Sequence, residues 1–239
     1  MRHKTPLLPA SPRRQLFKDV TLPQLEINIV ATTEHWVIVE KPAGILSVPG
    51  RHQGISLSVA EQIALHFPQA QGNLVVHRLD LSTSGLMIFA LHTQSLKALQ
   101  ALFAKRLVKK RYTALVSKQI HKPQGEIYLP LRLDPYQRPL QVYDPVHGKA
   151  CHTSWQRVKI EGGYSRVLLY PHTGRTHQLR VHMAHPLGLH AAIVGDPLYH
   201  VNAPVAGIQQ ERLCLHASFL QFQDPITDIT HQFESLAPF

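Results

Sequence analysis

Hydrophobic and polar positions change period repeatedly along this chain, and the changes mark out its elements. Leu25 to Ala31 and His35 to Glu40 alternate with β-branched residues and are expected as strands. Lys41-Pro42-Ala43-Gly44 then turns the chain before Ile45 to Val48. From Ser56 to Phe67 the apolar residues Leu57, Ala60, Ile63, Ala64 and Phe67 recur at helical spacing, with Ser56 or Ser58 as the cap and Pro68 as the stop. Leu74 to Val76 and Leu86 to Leu91 are short apolar runs, both expected as buried strands. His92 to Lys105 reads as a second helix, with Leu96, Leu99, Leu102 and Phe103 on one face. A strand follows around Tyr112 to Val116, then short strands at Ile127 to Leu131 and Leu140 to Tyr143. His152 to Ile160 and Tyr164 to Tyr170 form a hairpin closed by Glu161-Gly162-Gly163. Thr173-Gly174 is expected to turn into a helix with Leu179, Val181 and Met183 on its apolar side. That helix puts Arg175 near its start, beside backbone amides that attract anions. Leu213 to Phe222 is a late strand or helix, and the alternating tail from Asp228 to Phe239 suits a closing edge strand.

Between the two apolar runs lies His77-Arg78-Leu79-Asp80-Leu81-Ser82-Thr83-Ser84-Gly85, rich in residues that bond their own backbone or accept positive φ. Arg78 and Asp80 therefore sit on an irregular segment at the ends of buried elements. They form either a structural ion pair or a rigidly held catalytic carboxylate and its neighbour.

Charge narrows the partners. Lys and Arg outnumber Asp and Glu by 25 to 15 in 239 residues, a formal +10, which favours a polyanion: nucleic acid or an anionic membrane surface. Five basic residues, Lys105, Arg106, Lys109, Lys110 and Arg111, cluster ahead of the Tyr112 strand, an arrangement suited to backbone phosphates. Met1 to Lys18 has no acidic residue and three prolines, so residues 1–24 read as a basic flexible arm. That arm is either a free tail or a phosphate contact, and residues 25–239 form one domain. No apolar run is long enough to span a bilayer. Two cysteines make no disulfide framework or zinc spacing, so the cytoplasm is the expected location.

Several chemistries fail. His172, His177, His182 and His185 step by five, five and three, so they do not share a helical face as metal ligands would. The His77-to-Asp80 stretch lacks the Gly-rich loop that kinase chemistry requires, and the serines lack the nucleophile-elbow pattern.

Taken together, the segments resemble the RluA-type pseudouridine synthases. Val76 to Gly85 resembles that family's HRLDxxTSG signature. Lys41-Pro42-Ala43-Gly44, Lys110-Arg111-Tyr112, Thr173 to His182, Gly195-Asp196-Pro197-Leu198-Tyr199 and Leu215-His216-Ala217 follow in the family's order. The resemblance implies an α+β fold with a mixed, mainly antiparallel sheet, flanking helices and an RNA-binding cleft. It implies Asp80 as the catalytic aspartate, Tyr112 as the active-site tyrosine that packs on the base, and Arg175 as the basic partner of Asp80. Leu179 would line the uracil pocket and Arg78 would enter the space left by an extracted nucleotide. His77, Lys109 and Lys110 would help bind the RNA. Isomerising uridine gains and loses no atom overall, so no cofactor and no metal is expected. The implied substrate is ribosomal RNA, a tRNA stem-loop or both, handled by a monomer with no membrane association. Two other readings are an RNA-binding factor that needs no chemistry and a metal-dependent nuclease built on the histidines and Asp80.

Overall fold

In the computed structural model, which describes residues 27–50, 57–68, 70, 74–200 and 212–239, the alternating segments pair into one large sheet. The basic arm expected over 1–24 lies outside the described residues. In chain order come β1 (Asn28–Thr32), β2 (Trp36–Lys41), α1 (Val59–His66), β3 (Ser84–Ala90), α2 (Thr93–Ala104) and β4 (Lys109–Val116). Then follow β5 (Gln124–Tyr128), β6 (Leu131–Leu133), β7 (Gln141–Tyr143), β8 (His152–Glu161), β9 (Tyr164–Pro171), α3 (Gln178–Ala184), β10 (Leu215–Gln223) and β11 (Thr230–Glu234). The large sheet runs β1-β2-β3-β10-β4-β9-β8-β5, with β11 also on β10 and β6–β7 as a separate hairpin. Among the described strands only β3 and β10 pair in parallel, so the sheet is mixed and mainly antiparallel, as expected.

Local chemistry explains most boundaries. Ser58 caps α1 through a capping box with Glu61, each side chain bonding the other's backbone amide. Every residue of β3 is buried, as a continuous apolar run predicts for a central strand. It can lie against β10 because Gly85 adopts a φ of +113°; a Cβ there would stand 2.4 Å from the Ala217 carbonyl oxygen.

Three expectations need correcting. Leu74 to Val76 is not a strand: Val75 makes a single bridge to Phe89. Pairing stops because the His77 ring takes the Ile88 amide at 3.2 Å, replacing a backbone acceptor with a side chain. The third helix starts only at Gln178, after His177 in a left-handed conformation (φ 53°), so Arg175 lies in the preceding loop rather than in the first turn. Nor does α3 have one apolar side, since residues 178–183 are all buried. Leu179 and Met183, four apart, face one core, whereas Val181 packs with Leu131 and Cys151.

The interior divides into two main cores. One joins β2, β3, α1 and α2 around Trp36, Ile38, Met87 and Phe89; the other joins β4, β8 and β9 to α3 around Val116, Trp155, Leu169 and Met183. Tyr112 on β4 packs against both, so whatever lies beside it lies at their junction.

His182 and His216 are buried almost completely, 0% and 1% exposed, and burial pulls both rings down to about 4. His182 donates from Nε2 to the Leu129 carbonyl (3.3 Å), leaving its buried Nδ1 without a partner to share a second proton. The unfolded chain binds these protons near pH 6.5 while the folded one does not. Stability from this source is therefore complete above that pH and is lost as pH falls toward 4. Urea unfolding between pH 7 and 4.5 is expected to show stability falling at up to about 2.7 kcal/mol per pH unit for the two groups together. A flat profile there would contradict their neutral burial.

Candidate active site

Asp80 stands on a turn whose backbone is tied down on both sides. Before it, Ser47 Oγ donates to the Leu79 carbonyl (2.6 Å) and accepts from the Leu79 amide (3.0 Å). After it, the Leu81 carbonyl accepts from the Gly44 amide (2.9 Å) and from Lys41 Nζ (3.0 Å). Lys41 is fully buried and also donates to the carbonyls of Pro42 (2.8 Å) and Ile45 (2.7 Å), so its three protons each meet an oxygen. Burial pulls its ammonium down to about 8, against the charge of Asp80, which favours the cation. The turn at 41–47 is thus the mould for the turn at 78–83.

The opposite wall comes from α3. Arg180 makes a two-pronged pair with Asp196, Nε to Oδ2 at 2.8 Å and Nη2 to Oδ1 at 2.6 Å. Its remaining nitrogen, Nη1, points toward Asp80 Oδ2 at 3.9 Å. Asp196 also accepts from the Leu198 and Tyr199 amides (2.9 and 3.2 Å), and the Tyr199 ring lies 5.2 Å from the guanidinium. His177 Nε2 approaches the same Asp80 oxygen at 4.0 Å, while its Nδ1 bonds the Tyr199 hydroxyl at 2.7 Å. Burial lowers the His177 ring's affinity for a proton; the Asp80 charge works the other way.

The sequence assigned Asp80 the wrong arginine as neighbour. Among the described residues its ion-pair partners within 4 Å are Arg180 and His177, and Arg175 is exposed on the loop before α3. Gln178 explains why: its Oε1 accepts from Thr173 Oγ1 (2.7 Å) and the Arg175 amide (3.1 Å), and its Nε2 donates to the His152 carbonyl and Thr153. That holds the loop against β8 and keeps the helix from starting earlier. Nothing in the spacing distinguished Arg175 from Arg180. Ser47, His177, Asp196 and Tyr199 were not singled out as site residues, although the last three lie inside matched motifs.

All the other expected site residues line one open cavity of about 1100 Å³. Arg78, Arg106, Lys109, Lys110, Arg111 and Arg175 ring it, and among the described residues Asp80 is the sole carboxylate on its wall. Tyr112 and Leu179 line it beside Asp80. Burial, and secondarily the Asp80 charge, pushes the Tyr112 phenol well above its ordinary value. Lys110 lies over the Phe103 ring (5.7 Å), and burial lowers its ammonium. His77 also lines the cavity, but its ring stacks on Phe103 (4.6 Å) and its Nε2 accepts from the Ile88 amide of β3.

One cluster has the composition of a metal site: Glu126, His152 and His172 offer ligand atoms within 4.8 Å of one another. The two imidazoles, however, are stacked at 4.0 Å and 14°, so their nitrogen lone pairs lie in nearly parallel planes and cannot meet on one ion. Their Nε2 atoms are already bonded, His152 to Glu126 and His172 to Ser154, each at 2.5 Å. This donor set does not fit a metal.

Comparison with known proteins agrees with the motif pattern. A family model described as RNA pseudouridylate synthase matches residues 35–185. The dual-specificity RNA pseudouridine synthase RluA of Haemophilus influenzae is 37% identical over 220 residues, covering 91% of this chain and 97% of the relative. RluA of Escherichia coli K12 is 38% identical over 212 residues, 88% of this chain and 93% of the relative. Among solved structures, human RNA Pseudouridylate Synthase Domain Containing 1 aligns with a TM-score of 0.70 at 28% identity, over 89% of this chain and 84% of its own.

The two carboxylates facing Arg180 should differ in what they hold together. Asp196 is 1% exposed and doubly bonded, so Asp196→Asn is expected to lower unfolding free energy by about 3 kcal/mol. Asp80 is 28% exposed and 3.9 Å away, so Asp80→Asn is expected to change it by less than about 1 kcal/mol. Urea titrations of both variants check the contrast, and equal losses would contradict it.

Proposed function

The chain belongs to the RNA pseudouridylate synthase family and converts uridine to pseudouridine in RNA, and we propose that Asp80, Tyr112 and Arg180 carry the reaction. The observation that carries this reading is a lone carboxylate held rigidly in a basic cleft, facing a guanidinium that is itself clamped by Asp196. The basic rim takes the phosphates, and the target nucleotide leaves its stack to reach Asp80. Arg78, exposed beside Asp80, fills the vacated space.

As the bond from C1′ to N1 breaks, Asp80 meets the positive charge that builds on the ribose. Uracil turns between Tyr112 and Leu179 and rejoins C1′ through C5. N1 gains a proton and C5 loses one, so the atoms balance. Tyr112 enters as a neutral phenol, because burial and Asp80 both oppose its ionisation. A neutral phenol is a poor base, which leaves Asp80 or water to take the C5 proton. Arg180 supports the carboxylate, and Arg175, Lys109 and Lys110 bind phosphates.

The Haemophilus and Escherichia relatives are named dual-specificity enzymes, which supports more than one kind of RNA as substrate of this chain, and we take these to be ribosomal RNA and a tRNA stem-loop. The catalytic domain runs from 25 to the C-terminus behind the basic arm, and the enzyme works as a monomer in the cytoplasm. Two buried free cysteines suit a reducing compartment.

Tritium release from RNA labelled at uracil C5 tests the assignment. Asp80→Asn is expected to lose more than about a thousandfold in single-turnover rate. Arg180→Lys, its fold checked by circular dichroism, should lose roughly a hundredfold in kcat. Arg175→Ala should instead raise KM by under about tenfold and reduce the salt dependence of binding by about one phosphate contact. A kcat loss confined to the Arg175 variant would restore that residue as the partner of Asp80. Release by Asp80→Asn at the wild-type rate would remove the carboxylate from the chemistry.

A further inference from the structure

Three rings stack in a column beside the cleft. Tyr128 on β5 stacks on His152 at the start of β8 (4.2 Å, 12°), and His152 stacks on His172 just beyond β9 (4.0 Å, 14°). A chain of hydrogen bonds sets their rotation. His172 Nε2 bonds Ser154 Oγ (2.5 Å), Ser154 Oγ donates to Glu126 (2.9 Å), and His152 Nε2 bonds the same carboxylate oxygen (2.5 Å). Glu126 accepts throughout, so its bonding and the nearby His rings hold its carboxyl below the usual range. With the serine proton spent on Glu126, His172 must donate its own Nε2 proton to the serine oxygen. An exposed histidine is thereby fixed in one tautomer and one orientation before any ligand arrives.

The column has a free end at the cleft. His152 and His172 line the 1100 Å³ cavity and Tyr128 does not, so the His172 end of the column faces the cleft and the other two rings back it. Arg106 lies close enough for its charge to disfavour protonation of His172, after burial and His152. Arg106 also holds a left-handed conformation, φ 59°, just past the end of α2, where glycine is the usual residue. The chain accepts that strain and places a guanidinium on the lining of the same cleft as the flat His172 ring.

We propose that His172, backed by His152 and Tyr128, is a stacking platform for the base of an unpaired nucleotide that flanks the target uridine, with Arg106 on the adjoining phosphate. Every base has a π-face and an RNA loop supplies unstacked ones, so a rigid ring beside a cation matches that ligand chemistry. Because the rings are already ordered, little conformational entropy is lost on binding. The site rests on the RNA-modifying reading of the cleft and extends it beyond the reacting nucleotide, to the neighbours that decide which uridine is presented.

The test compares wild type, His172→Ala and His172→Phe. The probes are a tRNA anticodon stem-loop transcript and a large-subunit ribosomal RNA transcript, both labelled at uracil C5. Filter binding over a salt series is measured alongside tritium release. On at least one RNA, His172→Ala is expected to weaken binding roughly 5- to 150-fold with kcat at saturation and the salt slope unchanged. His172→Phe, which keeps a ring and removes the imidazole's polar atoms, is expected to bind within about threefold of wild type. Wild-type binding by both variants on both RNAs would overturn the platform. So would equal losses in Ala and Phe with a shallower salt slope, the signature of a phosphate contact. If wild type binds RNA but releases no tritium, the catalytic reading fails, and the binding arm still decides the platform.

Discussion

The Arg180 guanidinium, shared between Asp196 and Asp80, is the interaction on which the active site depends. It is 4% exposed, in a helix whose neighbours are all buried, and a charge in that position is costly unless its donors are met. Asp196 accepts from two of the three nitrogens with good geometry, and the third, Nη1, is left aimed at the cleft. Asp80 follows Leu79, which packs in the core of β2 and β3, and Arg180 follows Leu179, which packs in the core of β4, β8 and β9. The weak pair between them therefore spans the junction where Tyr112 touches both cores. A cleft at the junction of two cores can hold a large polyanion while the groups on its walls stay fixed.

The two halves use buried cations in different ways. Lys41 holds backbone: its ammonium is surrounded by carbonyls, and the result is the shape of the Asp80 turn. Arg180 holds a side chain and leaves one edge available. The geometric difference follows from the groups, since an ammonium bonds in three directions and a guanidinium presents a planar fork. Among the described residues Arg78, Arg106, Lys109, Lys110, Arg111 and Arg175 also line the cleft, where their charge favours RNA and where the lone carboxylate of Asp80 stands out.

Much of this was legible in the chain because it is local. The capping box of α1, the fully apolar β3, the hairpin of β8 and β9, and the end of α1 before Pro68 each depend on residues a few positions apart. The errors arose where a side-chain bond or a second core intervened. Val75 was lost as a strand because His77 took the amide that pairing required. The start of α3 moved because Gln178 bonded back to Thr173 and across to β8. The alternation of Leu179, Val181 and Met183 suggested one apolar side. In a helix, residues two apart point in different directions, and each side met a different core.

By itself the sequence determined the mixed, mainly antiparallel architecture, the family, the position of Asp80 on a tight turn and the basic surroundings that suit RNA. Each is carried by periodicity, motif order or charge, all properties of the chain in one dimension. The tertiary structure alone decided which arginine faces Asp80, that Ser47 and Lys41 mould its turn from more than thirty residues away, and that Tyr128, His152 and His172 form one column. Arg175 and Arg180 are chemically identical and both lie within the matched motif. Only the packing of α3 and the location of Asp196 separate them, because a buried guanidinium must lie where its carboxylate is and an exposed one need not.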